Sequence, residues 1–329
     1  MEKINKNKWM NLYNLADEIY DLSLWNHLSD TEIISYVDRK TQKLYYLFVL
    51  GKGGMCKGFV IIHEDDILQY LNILENGFQP LQLLNYQTGF MITYPNKNTI
   101  EADDKIIPEK LGIGFKDEWI VFKYYEKGYL PSNLDEEKVD ILTSLLENYL
   151  GIFKHVVNRD FELPLKDDMM LTRYYSDDLK GYNNVIIPKM YPDFSYEKKE
   201  FSNELINNIS KLKKRPKEYE IEFLNYLPIS IGDNYKDGKY KLNLYMAIAD
   251  RLERKMIDFK VIESDDYMVN LEAIIKYFKE NLLPNKIYVR DNLSREILLD
   301  LLYEYNIEIE VKPNLYIIDG YLSMALKKN

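Results

Sequence analysis

The sequence predicts an α+β protein, an antiparallel sheet with flanking helices followed by a mixed α/β sheet. Three observations predict it. In the first half, five short runs of β-branched and aromatic residues are set apart by turns, the pattern of an antiparallel sheet. Two longer stretches beside them carry apolar residues at three- and four-residue spacing, the pattern of amphipathic helices. In the last third, strand-like and helical patterns alternate, which indicates crossover connections and parallel neighbours.

Trp9, Leu12, Tyr13, Leu15, Ala16, Ile19 and Tyr20 mark a helix over residues 8–22, and Trp25 and Leu28 extend its apolar face. Strands are expected at 32–38, 44–50 and 58–63, turned at Thr41-Gln42 and at Gly51-Lys52-Gly53-Gly54. Residues 65–74 read as a helix with Glu64, Asp65 and Asp66 near its positive end. Residues 89–94 form a strand closed by Pro95, and 101–111 a short helix with a boundary at Pro108. A fifth strand covers 119–124, and a long helix covers 134–156, opening on Asp135-Glu136-Glu137.

Prolines at 164, 188, 192 and 216 punctuate a polar middle, which holds one strand, 169–174, and one helix, 201–213. The last third reads as strands 219–224, 240–249 and 256–263, helix 268–281, strand 286–290, a helix capped by Asp291 and Asn292 and reaching Tyr305, strand 307–311, and helix 321–328. The domains are therefore an N-terminal α+β domain, 1–157, a connecting layer, 158–217, and a C-terminal α/β domain, 218–329.

The chain has 329 residues, enough for two sizeable cores. Its 53 acids outnumber 43 bases, for a net charge of −10, which argues against nonspecific nucleic-acid binding. Cys56 is the single cysteine and His27, His63 and His155 are widely spaced, which excludes an intrachain disulfide and the usual zinc sites. The first residues carry no apolar signal core, and no apolar run approaches the ~20 residues that span a bilayer. The expectation is a cytoplasmic protein with no membrane partner. The 29 tyrosines, with frequent Lys, Asn and Ile, match an AT-rich coding genome.

The element order of the last third is related to that of the RNase H-like nucleases, whose carboxylates hold paired Mg²⁺ ions, hard cations that prefer oxygen ligands. The acids on suitable elements are Asp250, Glu272, Asp291 and Asp319. Such a sheet needs three strands before its first helix, so residues 219–224 become the first strand. Asp250 then moves to the second strand, and the first offers only Glu220 and Glu222. Asp250 also reads as a hairpin-turn residue and Asp291 as a helix cap. The glycine loop at 51–54 joins two strands, so it is a hairpin turn rather than a phosphate cradle. Cys56 with His63 or His27 reads as ordinary packing rather than a nucleophile and its base. Tyr124, Tyr125, Tyr129, Tyr174 and Tyr175 form a candidate partner surface.

Trp9-x-x-Leu12-Tyr13-x-x-Ala16, Leu24-Trp25-x-x-Leu28-x-Asp30, Val49-x-Gly51, Phe90-Met91-Ile92, Leu111-Gly112 and Phe122-x-x-Tyr125-x-x-Gly128-Tyr129-x-Pro131 together resemble a family of uncharacterised proteins from low-GC Gram-positive bacteria, classed as domains of unknown function. The resemblance covers residues 8–155 well and the last third more loosely. It implies architecture and origin and supplies no catalytic residues. The expected function is a noncatalytic protein-interaction or regulatory protein without a cofactor, its partner another protein. The alternative is a Mg²⁺-dependent phosphodiesterase with an active or degenerate RNase H-like C-terminal domain.

Overall fold

The computed structural model describes residues 5–54, 56–68, 70–71, 87–115, 118–191, 212–226, 235–236, 239–262, 267–281, 283–290, 294–295, 298–299, 302 and 305–327. The chain divides into two compact units, the first Met1–Leu68, Gln87–Glu126 and Pro131–Pro192, the second Gln69–Tyr86, Lys127–Leu130 and Asp193–Asn329. Among the described residues the two larger sheets mix parallel and antiparallel neighbours beside α-helices, so the fold is α+β.

Unit 1 opens with α1 (Lys6–Asp21), capped by the Asn5 side chain. Strands β1 (Ile33–Val37), β2 (Leu44–Leu50), β3 (Gly58–His63), β4 (Gly89–Thr93) and β5 (Val121–Tyr125) follow, with α2 (Ala102–Leu111) before β5. α2 runs unbroken through Pro108 and stops at Gly112, which takes the left-handed conformation that glycine adopts without strain. α3 (Glu136–Val157) begins at Asp135, whose side chain accepts from the Lys138 N–H. Acids in its first turn and Lys154 and His155 in its last complement the helix dipole.

β6 (Met169–Ser176) and β7 (Gly181–Pro188) complete a seven-stranded sheet in the order β5-β4-β3-β2-β1-β6-β7. β1 and β6 run parallel and the other neighbours antiparallel. α1 and α3 pack on one face, joining Leu12, Ala16, Ile19, Leu146, Tyr149 and Phe153 to inward strand residues in one core. The expected strand at 169–174 is thus half of a hairpin that extends the first sheet. Its partner β7 was not legible: it carries Asn183 and Asn184 in mid-strand and is only half-buried, so it lacks clean alternation.

Gly89 shows how tightly β3 and β4 meet. A Cβ placed on it lies 1.9 Å from the Ile61 carbonyl oxygen, a backbone atom fixed by the ladder. Gly89→Ala is expected to cost about 1–3 kcal/mol, read as a lower urea midpoint with unchanged far-UV circular dichroism at zero denaturant.

Unit 2 contains β8 (Glu218–Tyr226), the short pair β9 (Tyr235–Lys236) and β10 (Lys239–Tyr240), β11 (Asn243–Asp250), β12 (Lys255–Ile262), α4 (Tyr267–Asn281), β13 (Lys286–Val289), β14 (Glu308–Val311) and α5 (Tyr316–Lys327). Its five-stranded sheet has the order β12-β11-β8-β13-β14. β12, β11 and β8 are antiparallel; β13 runs parallel to both β8 and β14. Ile221, Met246, Ile248 and Ile287 pack with Ile274 and Phe278 of α4 on one face. Leu224, Ala247, Ala249 and Tyr288 pack with Leu315, Ile318 and Leu322 on the other. α5 starts five residues before the sequence expectation, because its first amides are bound by Glu220 of β8 rather than by a local cap. The expected helix at 201–213 and most of that at 65–74 lie outside the described residues.

Candidate acidic centre of the second unit

The period of two along β8 puts Tyr219 and Ile221 on the α4 face and Glu220 and Glu222 on the α5 face. Both carboxylates are buried, Glu220 completely. An isolated buried carboxylate is strongly disfavoured, so each must be paired or hydrogen-bonded. The parallel register sets Tyr288 beside Glu220, and two residues further Arg290 comes beside Glu222. Arg290 is 4% exposed. Its Nε and Nη2 donate to the two oxygens of Glu222, its Nη2 also to Asp319 Oδ1, and its Nη1 to the Pro313 carbonyl. Burial works against the guanidinium charge, but Glu222 and Asp319 outweigh it and hold Arg290 protonated. Asp319 Oδ2 accepts from the Leu315 N–H at 2.9 Å.

Glu220 Oε2 accepts from the Ile317 and Ile318 amides at 2.9 and 3.2 Å. Its other oxygen faces Arg251 Nη1 at 3.6 Å, and the Arg251 guanidinium lies 4.0 Å from the Tyr288 ring centroid. Burial raises the Glu220 pKa, and the two amides and Arg251 offset this only in part. An acid with a raised folded-state pKa binds more protons folded than unfolded in the window between the two values, so its contribution falls as pH rises through that window. Glu220→Gln keeps an acceptor for the α5 amides. It is expected to flatten the loss of stability as pH rises above the ordinary glutamate range, measured by urea midpoints across a pH series.

The centre is a closed ion-pair network. Both Glu222 oxygens and one of Asp319 are taken by one guanidinium, so the donors do not fit a divalent cation unless Arg290 leaves. Among the described residues no group of three or more His, Cys, Asp or Glu could hold a metal ion.

Of the sequence candidates, Asp250 and Asp319 lie on opposite faces of the sheet. Asp319 joins Glu222 and Glu220 at the centre. Asp250 ends the second strand, β11, opposite Tyr219 on the α4 face. It accepts from the Glu253 amide at 2.8 Å within the β11–β12 turn and pairs with Lys217 at 2.6 Å. Glu272 lies on α4, but its side chain, like all of Asp291, lies outside the described residues. Arg290, the residue that organises the centre, was not anticipated. Its only sequence signal is a basic residue directly after the apolar strand Ile287-Tyr288-Val289.

Tyr124 and Tyr125 lie on β5, at one edge of the first sheet, and Tyr174 and Tyr175 on β6, five strand positions away. At about 4.8 Å per strand, the two pairs do not share one patch. Tyr129 belongs to unit 2, where it pairs with Lys241.

A family model described as a domain of unknown function, DUF7309, matches residues 9–173, half of the chain. The chain belongs to the DUF7309 family. In this DUF7309 protein a second model, also a domain of unknown function, DUF6930, matches residues 205–324, the span that holds the acidic centre. No curated protein and no solved structure matches the chain. The DUF7309 match covers α1 to mid-β6, and thus the β1–β6 parallel pair, but stops before β7. No helix among the described residues is long and apolar enough to cross a membrane.

Proposed function

We propose that this DUF7309 protein is a noncatalytic, cytoplasmic bacterial protein that acts by binding another protein, and that its second unit is an RNase H-like scaffold whose metal chemistry has been replaced by an arginine clamp. The observation that carries this reading is Arg290, buried between Glu222 and Asp319 with its donors engaged. The strand order, three antiparallel strands and then two parallel ones about a central first strand, supports the RNase H-like assignment. In that arrangement the first strand and the last helix supply acids to the same point, and here they meet a guanidinium. Net charge supports a protein partner over a polyanion. A composition rich in Lys, Asn, Ile and Tyr supports a low-GC Gram-positive source.

The strand order equally supports a second reading, a Mg²⁺-dependent phosphodiesterase using Asp250, Glu272, Asp291 and Asp319. Incubation with single-stranded DNA, RNA and RNA–DNA hybrids in Mg²⁺ or Mn²⁺ separates the two. The noncatalytic reading expects no cleavage by the native chain. Metal-dependent cleavage that Asp319→Asn abolishes would sink it. Affinity capture from the source organism, with no partner recovered across growth conditions, would count against the binding role.

A further inference from the structure

Unit 1 also folds a guanidinium inward, and this one has no acid beside it. On β6 the period of two puts Leu171 in the core beneath the helices and carries Arg173 and Tyr175 along the same sheet face. Register sets Arg173 between Tyr36 of β1 and Asn184 of β7, and Tyr175 opposite Tyr182. Gly151, in the middle of α3, makes the room. A Cβ placed there lies 2.8, 2.8 and 2.9 Å from Arg173 Cζ, Nη1 and Nη2, so the helix backbone rests on the flat face of the guanidinium. The Tyr182 ring centroid is 4.5 Å from Cζ.

One edge of Arg173 is used: Nη1 donates to Asn184 Oδ1 at 2.9 Å. The other edge, Nε with Nη2, is the one that Arg290 gives to the two oxygens of Glu222. On Arg173 it is empty. Nε is buried without a partner, and Nη2, which is not enclosed, has none either. Burial pushes the Arg173 pKa down, and no carboxylate is among the groups that offset this. A charge held inside without a counter-charge is costly, and the empty edge has the fork geometry that matches a carboxylate or a phosphate. Tyr182, against Arg173, is 40% exposed, so the edge lies near the surface. Beyond the Tyr175–Tyr182 ring pair, the exposed Arg39 lies on the Tyr175 ring at 3.7 Å. It likewise has no ion pair among the described residues.

We infer that Arg173 anchors an oxyanion, the carboxylate or phosphate group of a ligand that packs on the Tyr182 ring, with Arg39 as a second positive group nearby. This inference does not depend on the acidic centre or on the noncatalytic reading.

The test is titration of the full chain with phenyl phosphate, benzoate and neutral benzamide at constant ionic strength, followed through the arginine Nε–H signals in proton–nitrogen NMR. The Arg173 signal, identified by its loss in Arg173→Lys, is expected to shift saturably with the anions and not with benzamide. The tighter of the two anions tells a phosphate source from a carboxylate source. Arg173→Lys keeps the charge but loses the fork, and should weaken binding about tenfold, the worth of one charge-assisted hydrogen bond. Gly151→Ala drives a Cβ into the guanidinium and should weaken binding by a similar factor. Alanine is otherwise favoured over glycine inside a helix, so that loss reports on the displaced guanidinium. Arg39→Gln should weaken binding by a smaller factor. Should a variant fold poorly, the shift of the Arg173 signal in the native chain decides alone. No saturable shift, an equal response to benzamide, or native affinity in folded Arg173→Lys or Gly151→Ala would overturn the inference.

Discussion

Replacing Arg290 by alanine is expected to destabilise the second unit by about 3–5 kcal/mol, the range for breaking a buried ion pair and leaving its partner charged. That is a large share of the total stability of an ordinary domain. The reason is asymmetric. Glu222 and Asp319 were made ionic by one guanidinium, and without it they stay in an apolar layer formed by Leu224, Leu315 and Ile318. Low pH neutralises carboxylates, so the deficit should shrink as pH falls and grow as pH rises. Replacing Glu222, Arg290 and Asp319 together by apolar residues of similar volume is expected to cost far less than the single change. Amide hydrogen exchange of β8 and β13 measures both effects. Equal protection in native protein and Arg290→Ala would show that the network carries no net stabilisation.

The second large effect is expected at Phe153. This ring is fully buried on α3, with ring centroids 5.7 Å from Phe59 and 5.9 Å from Tyr149. Phe153→Ala removes the side chain on which helix and sheet are stacked and leaves a cavity, a loss of about 3–5 kcal/mol. Trp9, Trp25 and Trp119 all belong to the first unit, so tryptophan fluorescence during urea unfolding reports on that unit. Its midpoint should fall while hydrogen exchange in β8 and β13 stays as in the native chain.

The sheet of unit 1 was legible where local pattern decides structure. β2 and β3 match their expected bounds, and the other strands β1 to β5 shift by a residue or two, because their residues alternate between a helix-covered face and the opposite one. β7 was not legible, because its place depends on β6, and β6 in turn depends on a parallel partner more than a hundred residues earlier. The acidic centre divides the same way. Strand counting puts Glu220 and Glu222 on the first strand and Asp250 on the second, and the sheet has that order. What local pattern could not give is the register of β13 against β8, which sets Arg290 beside Glu222. The start of α5 was missed for the same reason, since its first amides are satisfied by a strand residue almost a hundred positions away.

The parallel pairing of β1 with β6 has a consequence for synthesis. Ser35 and Thr172, bonded side chain to side chain, stand 137 positions apart. Chains leave the ribosome at roughly 5–20 residues per second, so β1 must wait about 7–27 seconds for its second neighbour. During that interval a nascent chain presents the outer edge of β1 as an open template, the kind of edge that recruits other strands. Ser35, in mid-strand, makes that edge less apolar than its neighbours Ile33 and Ile34, and the late arrival of the β6–β7 hairpin closes it.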